Sequence, residues 1–205
     1  MALIHRAQLT PTKLDLLTAW VPARTWLGDA DASRLEIVGS YRFDDPAGAV
    51  GIETHILRTI DGRIVQVPLT YRAEPLAGAE LVGIMEHSVL GTRYTHDGCS
   101  DPVYVHALAA AILTGGREAL LELVDEEEPA YREPTIRVTG SGTPDVAVPA
   151  IDSVHAANAG TVTVMRAAGL ELVLPRVLDT AETPAERTLI GTWDGQEPVL
   201  LARIR

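Results

Sequence analysis

The strongest constraint on this chain lies between Leu35 and His96, where apolar and polar residues alternate with a period of two and turn signals interrupt at short intervals. Alternation of that period puts successive side chains on opposite faces of a sheet. It predicts strands over 36–43, 52–58, 64–71, 81–87 and 92–96. Asp44-Asp45-Pro46-Ala47-Gly48, Asp61-Gly62 and Leu90-Gly91 mark the reversals, Asp-Gly being a strong hairpin signal. Pro68 lacks an N–H and predicts an edge position or a bulge for its strand. Together these make an antiparallel meander.

Helices are expected on either side of it. Leu14, Leu17 and Trp20 recur at helical spacing, Thr10 or Thr12 can cap their helix, Pro11 suits its first turn and Pro22 ends it. Asp101-Pro102 opens a second helix with Val105, Leu108, Ala109 and Ile112 on its apolar face, stopped by Gly115-Gly116. Residues 117–124 are expected to form a further helix. Asp125-Glu126-Glu127-Glu128-Pro129 is a charge run closed by proline, read as a solvated linker. Beyond it, short strands are expected at 135–139, 146–148, 161–166, 170–174, 188–192 and 198–204, the last two joined by Asp194-Gly195. The expected fold class is α+β: an antiparallel β-meander flanked by helices, followed by a β-rich C-terminal region. The expected division is 1–124, an acidic linker at 125–134, and 135–205.

Composition narrows the partners. Hydrophobic residues make up 46% of the chain, enough for a packed core, and the formal net charge is −11. An acidic surface repels nucleic acid and anionic lipid, which need clustered cations. Lys13 is the sole lysine and Cys99 the sole cysteine, so no intramolecular disulfide forms. No apolar run has the length of a signal peptide or a membrane span, and a cytoplasmic location is expected.

Candidate chemistry is sparse. Glu86, His87, His96, Asp97, Cys99, Asp101 and His106 are metal-competent but lack any chelating spacing, so no metal and no cofactor is expected. Gly140-Ser141-Gly142 opens no helix and reads as a β-turn rather than a phosphate cradle. Asp44-Asp45 reads as turn chemistry. Trp20, Arg24, Trp26, Tyr71 and Arg72 could stack on or bond a sugar, although Trp20 at helical spacing reads first as core.

Three stretches together resemble the N-terminal cap of maltokinases: Trp20-Val21-Pro22-Ala23-Arg24-Thr25-Trp26-Leu27; Val67-Pro68-Leu69-Thr70-Tyr71-Arg72; and Glu86-His87-Ser88-Val89-Leu90-Gly91 with Tyr94, Asp97 and Asp101-Pro102. The resemblance spans about residues 1–124. It implies a β-sheet flanked by helices that covers the N-lobe side of a kinase-like fold and carries no catalytic residue. Residues 157–174 sit where the first strands of a kinase N-lobe would follow such a cap, which implies a vestigial N-lobe; Pro175-Arg176 stands where a phosphate-binding lysine would be expected. No H-x-D-x-x-x-x-N loop is present in these residues.

The expected function is therefore a non-catalytic, stand-alone accessory or scaffold protein of α-glucan or trehalose/maltose metabolism, acting on a protein partner. The alternatives are a saccharide or other small-ligand binder, and an enzyme built on the His/Asp/Glu cluster. The candidate ligand or partner surface is Trp20, Arg24, Trp26, Tyr71, Arg72, Glu86 and His87.

Overall fold

A computed structural model describes residues 2–4, 6–123, 130–178 and 186–205. The charge run 125–129 lies outside the described residues. The chain is strand-rich, and its longest strands form a curled antiparallel sheet. In order, the elements are β1 (Ala2–Ile4), β2 (Leu9–Thr10), α1 (Lys13–Trp20), β3 (Leu35–Phe43), β4 (Gly51–Thr59), β5 (Ile64–Arg72), β6 (Leu81–His87), β7 (Gly91–Asp97), α2 (Pro102–Thr114), β8 (Leu121–Leu123), β9 (Ala130–Arg132), β10 (Arg137–Gly140), β11 (His155–Ala159), β12 (Val162–Ala167), β13 (Leu170–Pro175), β14 (Val177–Leu178), β15 (Thr188–Trp193) and β16 (Gln196–Ile204).

The first large sheet runs β2-β6-β7-β5-β4-β3, with β14 also paired to β5; the second runs β10-β15-β16-β13-β12-β11. A small third sheet joins β1, β8 and β9. The middle strands of the first sheet are covered on both faces, which is why β4 and β5 hold nearly unbroken buried runs. Ile52 and Ile56 face a core shared with α2 (Tyr104, Leu108, Ile112) and with the second sheet (Met165, Leu172, Leu189). Leu57, Val65, Val67 and Leu69 face a separate cluster built from Leu17, Trp20 and Trp26. The segments on either side of 125–134 thus contribute to one core.

The helix caps follow from local chemistry. Thr12 Oγ1 accepts the Asp15 N–H (3.2 Å) and the Asp15 carboxylate accepts the Thr12 N–H (2.9 Å), a reciprocal capping box. Thr12 is the cap, so Pro11 precedes the helix rather than joining its first turn. Asp101 caps α2 by accepting the Val103 N–H at 2.9 Å, Pro102 fills the first helical position, and Gly115 ends the helix at φ +69°.

Four local expectations are corrected. Residues 117–124 form no helix across their described part: Arg117 bridges Thr139, the Ala119 N–H reaches the Arg42 carbonyl (2.8 Å), and 121–123 pair with β1 and β9. Residues 146–148 form no strand. Pro68 sits in an interior strand without a bulge. Gln66 donates its N–H to the Arg176 carbonyl (2.8 Å) across the edge of β5 away from β4, and alternation turns the Pro68 nitrogen toward the same edge. There it lies between the pairing with β14 (64–65) and that with β7 (69–72), where no donor is needed. Gly140-Ser141-Gly142 is a close crossing rather than a simple turn. The Gly142 N–H donates to the Ile112 carbonyl (2.9 Å) and the Thr143 N–H to that of Leu113 (3.0 Å), satisfying the open end of α2. A Cβ on Gly140 would stand 1.8 Å from the Ala111 carbonyl oxygen, so only glycine fits.

Candidate functional site

Alternation along β4 places Glu53 and His55 on the face that carries Leu57, toward α1. Glu53 is 5% exposed and collects cations from neighbouring elements. Its Oε2 is bonded by Lys13 Nζ from α1 and by Arg42 Nη2 (3.1 Å) from β3, and its Oε1 accepts from the Ser40 hydroxyl (2.9 Å). His55 Nε2 lies 3.7 Å from Glu53 and 3.2 Å from the Tyr71 hydroxyl. Lys13 Nζ also stands 5.4 Å from the centre of the Tyr71 ring. Burial alone would raise the Glu53 pKa, but His55, Arg42 and Lys13 hold it well below the usual carboxylate range. Burial pushes His55 down to about 4, against the pull of Glu53, and also lowers Lys13.

This cluster opens on a cavity of about 450 Å³ lined by Lys13, Arg42, Tyr71, His87 and Arg93 together with apolar side chains, among them Phe43, Ile52 and Met85. Its volume falls in the range of small-molecule sites. Tyr71 faces Gly51 across the β4–β5 pair, where an added Cβ would lie 3.3 Å from the ring, so the glycine leaves the ring its place. His87 is oriented by its Nδ1, which accepts the N–H groups of Val89 (3.2 Å) and Leu90 (3.1 Å); its Nε2 therefore carries the proton of the neutral ring.

The seven candidate residues fall into three places. Tyr71 and His87 line the cavity, with Glu86 next to His87 but exposed and accepting from the Thr92 hydroxyl (2.8 Å). Trp20, Arg24 and Trp26 form a cluster: the indoles lie 6.1 Å apart and tilted by 50°, Arg24 covers Trp20 at 4.6 Å, and Arg24 pairs with Glu80. Trp26 is 1% exposed and lies in the core, with Arg176 over its ring at 5.0 Å. Arg72 grips Asp101 with two bonds of 2.7 Å, and Thr70 Oγ1 donates to the same carboxylate (2.7 Å), which ties the start of α2 to β5.

The metal-competent residues separate. His96 Nε2 accepts the Leu76 N–H (3.2 Å), Asp97 pairs with Arg176, and Cys99 is buried with its thiol pKa pushed up by burial. Among the described residues no three His, Cys, Asp or Glu side chains group to hold a metal ion. Lys13, Arg42, Glu53, His55 and Arg93 were missed by spacing. The legible signal was Glu53-x-His55, two polar groups on one face of an otherwise apolar strand.

Residues 20–101 match the family model of the maltokinase N-terminal cap domain, which spans the Trp20–Trp26 segment, β3 to β7 and the Asp101 cap. The match covers less than half of the chain and stops short of α2 and the second sheet. The matched segment is thus similar to the maltokinase N-terminal cap, the family that the sequence resembles. No curated protein matches the chain. Among the described residues no helix is long and apolar enough to cross a membrane.

Proposed function

We propose, from the maltokinase-type cap domain that residues 20–101 carry, that this chain is a non-catalytic module of α-glucan or trehalose/maltose metabolism, working in the cytoplasm by protein contact. The family match is the observation that carries the reading. Two placements support it. Phosphoryl transfer draws on a lysine at the phosphates and on acidic residues for the metal and the attacking hydroxyl. Here Lys13 is engaged by Glu53, and Arg176, which stands where a strand lysine would be expected, is fully buried against Asp97 and Trp26. Leu81, Ile84, Val89 and Leu90, along the β6–β7 hairpin, are each about half exposed and offer apolar surface to a partner. On this reading the β11–β12–β13 meander is a vestigial kinase N-lobe, with helices flanking the cap sheet.

The test has two arms. Purified chain with Mg²⁺, ATP and maltose should yield no more phosphorylated product than the protein-free control. From native lysate the chain should retain an enzyme acting on maltose, trehalose or α-glucan, and the variant with Ile84→Asp and Leu90→Asp should lose it. Turnover that survives repurification and vanishes on mutation of this chain would overturn the first arm. Equal retention by the variant would overturn the second.

A further inference from the structure

We propose that the cavity beside Glu53 binds a small organic oxyanion, a carboxylate or phosphate monoester on a ring-sized body. Lys13, Arg42 and Arg93 all line the cavity, and one buried carboxylate, that of Glu53, answers the first two. Glu53 neutralises a single charge, so the Lys13–Arg42–Glu53 group keeps one positive charge in excess even before Arg93 is added. The Lys13 and Arg42 side chains remain 23% and 20% exposed, so both still reach the cavity while bonded to Glu53. Arg93 Nε is buried and has no hydrogen-bond partner among the described residues, an unmet donor on the same wall.

Two further carboxylates, Asp44 and Asp45, also line the cavity. Asp44 is exposed, and Asp45 accepts the N–H groups of Ala47 (3.0 Å), Ala49 (2.9 Å) and Val50 (2.9 Å), so its charge is directed into its own turn. The Asp45 carboxylate is thus occupied by its own turn, whereas Lys13, Arg42 and Arg93 present N–H donors on the lining. A ligand that enters with its anion first meets N–H donors, while Phe43, Met85 and Tyr71 flank its body. Guanidinium and ammonium groups bond carboxylate and phosphate oxygens with short charge-assisted bonds, which selects this class over neutral or cationic molecules.

The test uses ¹⁵N-labelled full chain titrated to millimolar concentration with phenyl phosphate, benzoate, benzyl alcohol and benzylamine. The amides of Gly51, Tyr71 and Arg93 should shift and saturate with phenyl phosphate or benzoate, and stay still with the alcohol and the amine. The tighter of the two oxyanions tells a phosphate site from a carboxylate site. Arg93→Gln should weaken binding about tenfold, the effect of losing one charge-assisted bond. Ala49→Trp adds bulk at a position that lines the cavity, replaces no charged side chain, and should abolish binding while the spectrum stays folded. The proposal is overturned if neither oxyanion shifts these amides, if the alcohol or amine binds as tightly, or if Ala49→Trp binds undiminished. Oxyanion binding is read on Arg93 and Ala49 variants and partner retention on the Ile84/Leu90 variant, so loss of the first leaves the protein-contact reading standing.

Discussion

Two buried carboxylates of the cap sheet, Asp97 and Glu53, solve the same problem in opposite ways. Asp97, at the end of β7, meets one cation, Arg176, which is 0% exposed and also donates from Nε to Thr163 Oγ1 (2.8 Å). Glu53, in the middle of β4, is shared by two cations that each keep about a fifth of their side chain in solvent. Full burial tolerates no surplus charge, because each ion leaves water at a cost only a matched partner offsets. A wall that opens on a cavity tolerates a surplus, since water or a ligand can meet it. The first pair fastens the C-terminal segment to the cap sheet; the second leaves charge available.

The largest effect is expected at Arg176. Arg176→Met should cost about 3–5 kcal/mol, because it leaves Asp97 buried with little beyond the Cys99 N–H (3.2 Å) to hold it. Urea denaturation would measure this. Adding Asp97→Leu to Arg176→Met should recover most of the loss, since removing both charges also removes the desolvation cost. A loss no larger than that of an exposed substitution would show that water reaches the pair, and the contrast with Glu53 would collapse.

The sequence was most legible where one turn of chain decides the outcome. Thr12 with Asp15, Asp101 with Pro102, and Gly115 each bring their cap within a few residues, and the Asp61-Gly62 and Asp194-Gly195 reversals fall where the hairpins turn. Legibility failed where partners are distant. Residues 121–123 became a strand because β1, more than a hundred residues earlier, pairs with them. Pro68 is tolerated inside a sheet because β7 and β14 leave a gap that no local rule contains. The candidate site failed for the same reason: Lys13, Arg42, Glu53, Tyr71 and Arg93 come from five elements and meet only through sheet register. Trp26 looked like a sugar platform because aromatic type is visible in sequence and burial is not.

The next break is set by pH. His55 is 2% exposed and its folded pKa is about 4, below the unfolded value of about 6.5. Between those values the unfolded chain binds a proton that the folded chain does not, so stability rises with pH across this window and falls as acid is added. Tyr71, Glu53, Lys13 and Arg42 surround it, and the two cations oppose its protonation. Lowering the pH from 6.5 to 4.5 should cost roughly 2–3 kcal/mol through this group, at about 1.4 kcal/mol per unit. His55→Gln should flatten most of the slope. A remainder is expected from His96, whose pKa burial also lowers. Glu53 acts lower still: its depressed pKa gives stability that is present above the unfolded carboxylate value and is lost only as pH falls through its folded value. An unchanged slope in His55→Gln would place the acid sensitivity elsewhere.

The smallest effect is expected at Glu53. Glu53→Gln keeps the size of the side chain and an acceptor for Ser40, and removes the charge between Lys13 and Arg42. Were Glu53 a sealed partner like Asp97, the loss would match that of Arg176→Met. Because both cations already reach the cavity, they can turn to solvent, and the cost should stay near 1–2 kcal/mol, the range for charged hydrogen bonds rather than for stranded buried charge. Binding should move the other way. With the carboxylate bonded to Lys13 and Arg42 gone, an oxyanion has one competitor fewer for these cations, so phenyl phosphate should bind several-fold more tightly to Glu53→Gln than to the parent chain, and added salt should weaken that gain. Denaturation and the same titration on one variant read both quantities. A large stability loss with unchanged or weaker binding would make Glu53 a structural clamp like Asp97. A small loss with tighter binding would assign the surplus charge of this wall to a ligand.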